Sequence, residues 1–553
     1  MVTDELKELV RAALEAADSD GAPLVVGTAE IELERPRRRE HGDWSTNVAM
    51  KVAKKNDANP RAIAQAIADR IDTSGIVASV EIAGPGFLNF RLAPRWLADV
   101  VRRAVTAGPA FGWVVRPDGD AVNVEFVSSN PTGPVNVVSG RHAAVGDALA
   151  NLFAATGHRV TREFYVNDAG RQVDLFAQSV AARYAGLFGV EEPVPEDGYH
   201  GDYVADLAAE LKDELDDAYL ELSPHERAAT LRPKALEKML AAMKESLERF
   251  GTRHDLWFSE NRLHASGAID HALARLAKRG KTYEKDGAVW FRSTDFGDDK
   301  DRVLVRANGE PTYTASDVAY LLDKFERGFD RLVYLWGADH HGTVVRLRAA
   351  ADALGYDHER VEVPLVQVVT LTRGGSAVKA SKRAGVIVPL DELVDEVGAD
   401  AARYTFLTRS VDSPLEFDVE LAKQQAPENP VYYVQYAHAR ICSILRRAEE
   451  EGQSFDPAAA PLDRLEHPSE DELMRKLASY EEVLPEACAL RAPQRIARYA
   501  EELAATFTAF YRDCRVITDD AGLTSARLTL CVATKSGIAS ALAILGVTAP
   551  ERM

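Results

Sequence analysis

Apolar positions with helical spacing begin the chain. Between Leu6 and Ala17, apolar residues recur every three or four positions, which predicts an amphipathic helix. Residues 80–92 have the pattern of two short strands around the turn Gly84-Pro85-Gly86, and a second helical pattern covers Pro94–Ala107. We therefore expect a small α+β domain over residues 1–112.

A strand, a tight loop and a helix begin the next part of the chain. The apolar run Ala121–Val127 predicts the strand, residues 128–134 supply the loop, and the helix continues to about Thr156. A further strand at Val160–Val166 completes a βαβ pattern, which is typical of a nucleotide-binding parallel sheet. We predict an α/β fold, with a Rossmann-like domain over residues 113–400.

Helical patterns account for most of the remaining sequence. Charged amphipathic segments at about 188–280 predict a helical insertion into the α/β domain, after which strand-like sequence returns. From 401 to 553 the pattern is almost entirely helical, which predicts an all-helical C-terminal domain.

The charge of the chain restricts its partners. Its 553 residues include 66 Lys and Arg against 86 Asp and Glu, and this net charge of -20 excludes a basic coat for nucleic acid over the whole surface. Residues 1–110 and 431–553 are nearly neutral, so a polyanion would meet least repulsion at the two ends. A hydrophobic content of 46% excludes wholesale disorder.

Sequence signals for secretion, membranes and metals are not apparent. The chain does not begin with a basic segment followed by an apolar core, and the apolar stretch at 538–547 is too short to span a bilayer. None of the four cysteines belongs to a CxxC pair, so we expect neither a metal site nor a disulfide framework. These features predict a cytoplasmic protein that does not bind membranes.

Two segments have the composition of phosphate-binding loops. In the first, Gly133 lets the backbone approach a ligand, and Pro134 suits the first turn of a helix whose N-terminus attracts phosphate. The second is flanked by glycines and contains the three cations Lys379, Lys382 and Arg383, which suit a triphosphate. The alternatives are a plain turn for the first and a solvated basic turn for the second.

A third segment suggests a cationic substrate. Tyr313 and Asp317 are spaced to share one face of a helix. Together with Glu125 they would supply acidic partners for a positively charged group. The alternative is a helix cap or a surface carboxylate.

Several stretches, in this order, resemble the arginyl-tRNA synthetase family of class I aminoacyl-tRNA synthetases. They are Val124–Pro134, Tyr165–Gln172, His41–Ala49, Ala83–Phe87, Gly546–Met553 and the segment Lys379-Ala380-Ser381-Lys382-Arg383. The resemblance covers essentially the whole chain. It implies a class I catalytic domain, an N-terminal add-on domain that contacts tRNA and a C-terminal helical anticodon-binding domain.

The resemblance also implies an activity and its residues. L-arginine is activated with ATP and Mg²⁺ to arginyl-adenylate and is then transferred to the 3′ end of tRNA(Arg). The side chains that would bind arginine are Glu125, Asn130, Tyr313, Asp317 and Asp339. Those that would bind ATP or act in catalysis are Pro131, Thr132, Gly133, Pro134, Asn136, Ser139, Gly337, His340, Lys379, Ser381 and Lys382. Within Asp339-His340-His341 the individual contacts stay open.

Contacts with tRNA are expected at both ends of the chain. The candidates are Arg37, Arg38, Tyr432, Tyr436 and Arg440, because basic side chains meet phosphates and aromatic rings stack on unpaired bases. The alternatives are a solvated loop for the arginines and core packing for the tyrosines. We expect the protein to be a monomer.

The sequence departs from the family at its first signature. Where class I enzymes carry His-x-Gly-His, residues 136–139 are Asn-Val-Val-Ser, which can donate hydrogen bonds but cannot carry charge. His142, one turn later, is a candidate to compensate. In the second signature only the usual Met differs, as Ala380. Two alternatives therefore stand beside an active arginine–tRNA ligase: a weak or inactive tRNA-binding relative, and a variant that uses another amino acid or tolerates an arginine-like inhibitor.

Overall fold

The computed structural model describes residues 2–19, 30–36, 38–377 and 388–553. The chain divides into two units, one of residues 1–111, 440–482 and 502–537, the other of residues 112–439, 483–501 and 538–553. The helices are α1 Val2–Ser19, α2 Val48–Asn56, α3 Pro60–Ala68, α4 Pro94–Ala107, α5 Val137–Ala155, α6 Arg171–Gly186, α7 Asp202–Leu215, α8 Pro224–Arg249, α9 Glu260–Ala265, α10 Ala268–Lys278, α11 Tyr313–Glu326, α12 His341–Leu354, α13 Leu390–Val397, α14 Ala399–Phe406, α15 Val419–Ala422, α16 Pro430–Glu450, α17 Pro468–Ala478, α18 Tyr480–Ala489, α19 Gln494–Asp513 and α20 Ala521–Leu545. The strands are β1 Trp44–Thr46, β2 Val77–Ala83, β3 Phe87–Leu92, β4 Ala121–Glu125, β5 Arg159–Val166, β6 Leu256–Ser259, β7 Thr282–Lys285, β8 Ala288–Phe291, β9 Arg302–Val305, β10 Arg331–Tyr334, β11 Trp336–Gly337, β12 Val361–Glu362, β13 Leu365–Val366, β14 Val369–Arg373, β15 Ser376–Ala377 and β16 Leu415–Asp418.

An antiparallel sheet of order β1-β3-β2 lies in the N-terminal part of the first unit. Its β2–β3 hairpin turns at the predicted glycines, and α4 has the predicted bounds. Asn59 caps α3 by accepting from the backbone N–H of Arg61, and Pro60 occupies the first helical position. The predicted α+β character of this segment is confirmed.

Five parallel strands in the order β12-β10-β4-β5-β6 form the main sheet of the second unit. The helix α5 joins β4 to its neighbour β5, as the predicted βαβ unit requires. The central strand β4 is almost wholly buried, which agrees with its continuous apolar run. The predicted α/β class is confirmed.

Two short strands lie where helices were expected. The strand β6 lies within the segment at about 188–280 and pairs with β5 at the edge of the main sheet. The strand β16 lies beyond residue 400 and pairs in parallel with β14. Each has only four residues, so its hydrophobic period is too short to separate from that of a helix, and only the pairing partner reveals the strand.

The helix α20 is the one described helix that is long and apolar enough to cross a membrane. However, 83% of its most apolar window is buried inside the protein. That burial is what a core helix shows, since such a helix is hydrophobic on all sides.

Candidate active site

The carboxyl ends of the main-sheet strands meet at one edge, where open α/β sheets commonly bind ligands. β4 ends at Glu125, which lies opposite Tyr334 of β10 and Glu163 of β5. β5 continues to Val166, beside Ser259 at the end of β6. The candidate site is therefore built from residues that follow β4, β5, β6 and β10, together with the start of α11.

A carboxyl group of α11, that of Asp317, lies at this edge, close enough to Glu260 and Glu125 for their charges to act on it. Asp317 keeps an exposed face although protein surrounds the rest of it. Burial raises the pKa of its carboxyl to about 7, the Arg346 guanidinium opposes the rise, and Glu260 and Glu125 add to it. A poorly hydrated yet accessible carboxylate is a strong partner for a ligand cation.

A second carboxyl group near Asp317, that of Glu260, was missed by the sequence analysis. Glu260 is buried at the start of α9, directly after β6, and burial is the main cause of its raised pKa. In its hydrogen-bonding orientation the Asn167 amide donates to Glu260 Oε2 at 2.8 Å. The position of Glu260 directly after a strand of the sheet could have identified it. The sequence analysis lacked this signal because β6 was not predicted.

Glu125 is paired inside the protein. Its Oε2 accepts from Lys324 Nζ at 2.6 Å, and its Oε1 accepts from Ser128 Oγ at 3.1 Å. Lys324 has no exposed side-chain surface, and its Nζ lies 3.9 Å from the centroid of the Tyr334 ring. The charge of Glu125 is therefore compensated before any cationic ligand arrives.

The other three candidates for arginine binding are exposed. Tyr313 is the first residue of α11 and is 68% exposed, one turn from Asp317. Asn130 is exposed and donates to the side chain of Gln172. Asp339 is exposed, with His340 Nε2 at 3.9 Å from its Oδ2. Thus only Tyr313 and Asp317 are brought together on one helix.

The loop after β4 has an unusual backbone. Val127 and Ser128 have φ angles of 69° and 41°, in the left-handed region that a β-branched residue such as valine rarely adopts. The Tyr203 hydroxyl, from α7, donates to the carbonyl of Thr132 at 2.8 Å, and a Cβ at Gly133 would lie 3.3 Å from that hydroxyl. Tyr203 thereby anchors the loop at Thr132. Of its four predicted ATP-binding residues, Pro131 and Thr132 are buried and Gly133 and Pro134 are half-buried.

The start of α5 differs from the open phosphate site that was expected. Asn136 caps the helix, with its Oδ1 accepting from the Ser139 N–H at 2.9 Å, and the Val137 N–H donates to Val388 at 3.2 Å. The Ser139 hydroxyl lies 3.0 Å from that of Ser129. Two of the first three N–H groups are therefore occupied. What Asn136 still offers to a ligand is the N–H₂ end of its amide.

His142 does not replace the missing imidazoles as a cation. It is buried, and burial lowers its pKa to about 4, while the backbone of Leu335 only partly opposes this effect. The charges of Asp339 and His340 also affect the pKa of His142. This part of α5 therefore lies near the predicted ATP-binding segment that follows Gly337. At pH 7 His142 is neutral.

The predicted phosphate cations Lys379 and Lys382, with Ser381, lie outside the described residues, as does Arg37. The segments that flank this cationic stretch are described. On one side is β15, which ends at Ala377. On the other, Leu390 N–H donates to Val135 O at 2.8 Å, so the returning chain is fixed to the residues that precede α5.

The predicted tRNA-binding residues are placed separately. Arg38 is exposed and forms an ion pair with Glu40 at 3.3 Å. Tyr432 and Tyr436 stack with ring centroids 6.0 Å apart, and Tyr432 lines a cavity of about 630 Å³ together with Gln435 and Met553. The Arg440 guanidinium lies 5.4 Å from the Tyr511 ring centroid. Among the described residues, no group of three or more potential ligands could hold a metal ion.

Comparisons with known proteins agree with this geometry. The family model for the class I (R) tRNA synthetase catalytic domain matches residues 113–412. The models for the arginyl-tRNA synthetase N-terminal domain and for the DALR anticodon-binding domain match residues 4–92 and 434–553.

Individual relatives match over their full length. The arginine–tRNA ligase of Moorella thermoacetica is 47% identical, with 98% of each chain covered. That of Frankia alni is also 47% identical, with 100% of each chain covered. The solved arginyl-tRNA synthetase of Thermus thermophilus superposes with a TM-score of 0.78 at 24% identity over the whole of both chains, which supports the fold.

Proposed function

The chain belongs to the arginyl-tRNA synthetase family and has its activity, the ATP-dependent ligation of arginine to tRNA, and we propose that Asp317 and Glu260 select the arginine. The single observation that carries this proposal is the pair of neighbouring carboxyl groups at the carboxyl edge of the sheet, both with pKa values raised by burial. A guanidinium is always charged and prefers carboxylate partners. A neutral amino acid would leave these groups unpaired, which disfavours it.

We propose that Asn130 and Asp339 serve the α-amino group and that Tyr313 serves the guanidinium. Tyr313 and Asp317 lie one turn apart on α11, which supports a shared ligand. Glu125 then acts from inside the protein, since its carboxylate is held by Lys324.

For ATP, we propose that Asn136 replaces a signature histidine. Its Oδ1 caps α5, so its N–H₂ group remains to donate to a phosphate. Ser139, Gly337, His340 and the loop 131–134 complete this side, and Lys379, Ser381 and Lys382 complete the other. Mg²⁺ would travel with the ATP phosphates and reduce their charge.

The reaction then proceeds in two balanced steps. A carboxylate oxygen of arginine attacks the α-phosphorus, the bond to the β-phosphate oxygen breaks, and pyrophosphate leaves. The 3′-terminal ribose hydroxyl of tRNA next attacks the activated carbonyl, loses its proton, and AMP leaves. The protein supplies positioning and stabilisation of charge in both steps.

For tRNA, we propose that Arg37 and Arg38 meet the backbone. Tyr432, Tyr436 and Arg440 would meet unpaired anticodon bases. The cavity beside Tyr432 supports this proposal, because a stacked aromatic pair at its wall suits a base.

We also propose a cytoplasmic monomer divided at residues 112 and 400. The four cysteines are buried and none forms a disulfide, which supports a reducing compartment. Sedimentation velocity tests the monomer, and limited proteolysis tests the two boundaries.

A charging assay tests the function. Purified protein is incubated with ATP, Mg²⁺, total tRNA and each labelled amino acid in turn. We expect charging with arginine alone. Binding of tRNA without charging of any amino acid would reject the proposal.

A further inference from the structure

One carboxylate that follows β5, that of Asp168, holds the chain on both sides of Glu260. Its Oδ2 accepts from Ser259 Oγ at 2.5 Å, and its Oδ1 accepts from the backbone N–H of Asn261 at 3.0 Å. The Asn261 side-chain amide also donates to the Asp168 carbonyl at 3.1 Å. Three hydrogen bonds thus fix the residues immediately before and after Glu260.

These bonds supply the cap that α9 does not provide for itself. Ser259 is the N-cap residue of α9, but its side chain makes no capping hydrogen bond to the helix. Asp168 accepts from one of the first N–H groups instead, from a different part of the chain. A helix of six residues is not stable in isolation, so its neighbours define where it starts. The orientation of Glu260, its first residue, therefore depends on Asp168.

The loop that contains Asp168 is itself anchored. Arg232 of α8 donates to the Asp168 carbonyl through Nη2 at 3.2 Å and to Asp174 Oδ1 through Nη1 at 2.9 Å. The preceding residue, Asn167, donates to Glu260 Oε2 at 2.8 Å in its hydrogen-bonding orientation. The end of β5 thus fixes both the backbone around Glu260 and one oxygen of its carboxylate.

Electrostatic support is not what Asp168 gives to Glu260. Its negative charge raises the pKa of the Glu260 carboxyl and so disfavours the ionised form that a guanidinium prefers. Its contribution is geometric, because its two oxygens accept from donors on either side of Glu260. A guanidinium requires such geometry, since its paired N–H donors fit a carboxylate in one orientation.

We propose that Asp168 is a positioning residue for the selection of arginine. By holding Ser259 and Asn261, it sets the direction in which the Glu260 carboxylate meets the guanidinium. The inference rests on the proposed function, because it has meaning only if Glu260 binds arginine. Both carboxylate oxygens of Asp168 accept from the protein, so it acts through Glu260 rather than on the ligand.

Asp168→Ala and Asp168→Asn test this role in arginine-dependent ATP–pyrophosphate exchange with tRNA present. Misplacement of reacting groups by about 1 Å costs about 100-fold in rate, so we expect Asp168→Ala to lower kcat/KM for arginine by about that factor, with a raised KM for arginine. The KM for ATP should stay unchanged. Asp168→Asn should lose less, since its amide oxygen still accepts from the Asn261 N–H.

Asp255 supplies the matched control. It joins the same two strands at their opposite ends, because it directly precedes β6 and its Oδ2 accepts from the Arg162 N–H of β5 at 2.7 Å. Its own N–H also donates to Arg162 O at 2.8 Å. Asp255→Ala should lower Tm, as Asp168→Ala does, but leave the KM for arginine unchanged.

A double-mutant cycle with Glu260→Gln separates positioning from general stability. If Asp168 acts through Glu260, the addition of Asp168→Ala to Glu260→Gln lowers kcat/KM for arginine no further, because the effects of coupled residues are not additive. A KM is independent of the folded fraction, so a partly folded preparation still gives the answer.

The outcomes separate the two proposals. Suppose that Glu260→Gln weakens arginine use. An unchanged KM for arginine in Asp168→Ala, or losses that add in the double variant, would then make Asp168 merely structural. If Glu260→Gln itself leaves arginine use unchanged, the proposed selection by Glu260 fails, and the role of Asp168 fails with it.

Discussion

At the residue scale, selection depends on two carboxyl groups that are poorly hydrated before a ligand arrives. The pKa values of Asp317 and Glu260 are both raised by burial, and the charge of Glu260 adds to the rise at Asp317. A bound guanidinium favours the ionised forms and reverses the shift, so binding releases a proton where Asp317 is still protonated. Recognition of the cation is therefore linked to pH.

The pH dependence of arginine use follows from the pKa of Asp317, about 7 in the empty site. Above pH 7 the carboxylate is already ionised, whereas below it each pH unit costs about tenfold in affinity, because binding must first remove the proton. We expect the KM for arginine to be about tenfold higher at pH 6 than at pH 8. Steady-state exchange at several pH values measures it.

Glu326→Gln is the matched control for this prediction. Glu326 also lies on α11, but it is exposed and pairs with His271 and Arg275. This variant should keep the wild-type pH profile. If the wild-type KM for arginine does not change between pH 6 and 8, Asp317 does not titrate in the free site.

At the element scale, α5 and α11 divide the work of the site. In the first turn of α5, the Ser139 N–H donates to the Asn136 cap and the Val137 N–H donates to the Val388 carbonyl. The N-terminus of this helix and its dipole therefore do not form the phosphate site by themselves. The helix α11 exposes Tyr313 and Asp317 near its start and buries Lys324 two turns beyond Asp317. One helix thus supplies both the Asp317 carboxyl group and the cation that compensates Glu125.

Asn136→Asp separates the two roles of Asn136. An aspartate keeps the capping oxygen, so Tm should stay close to wild type, but it loses the N–H₂ donor and repels phosphate. We expect kcat/KM for ATP to fall by about 100-fold or more, the usual loss for one such donor. Asn136→Ala should lose activity and also about 1 kcal/mol of stability. Wild-type exchange by Asn136→Asp would remove Asn136 from the ATP site.

Lys324→Met leaves the buried Glu125 without its partner. Breaking a buried ion pair from one side costs about 3–5 kcal/mol in free energy of unfolding. The double variant Glu125→Gln with Lys324→Met removes both charges and should recover much of the loss. Denaturant unfolding followed by fluorescence measures the difference. Equal stability of the single and double variants would show that the pair does not govern this part of the core.

At the scale of the whole molecule, local patterns predicted the fold better than they predicted the site. The β2–β3 hairpin, α4 and the β4–α5–β5 unit were predictable, because each follows from a hydrophobic period and a turn within one stretch of sequence. The strands β6 and β16 were not, because only their partners define them. Glu260 was missed together with β6, and the pairing of Glu125 with Lys324 joins residues 199 positions apart.

The central claim is that this chain selects arginine with the carboxyl groups of Asp317 and Glu260 and activates it although the signature histidines are absent. ATP–pyrophosphate exchange with tRNA present, run with arginine and with citrulline, tests it most directly, because citrulline has the shape of arginine without its charge. We predict exchange with arginine and a kcat/KM for citrulline lower by about 10⁴-fold, the discrimination that unpaired buried groups provide. No exchange with arginine, or equal exchange with both amino acids, would contradict the claim.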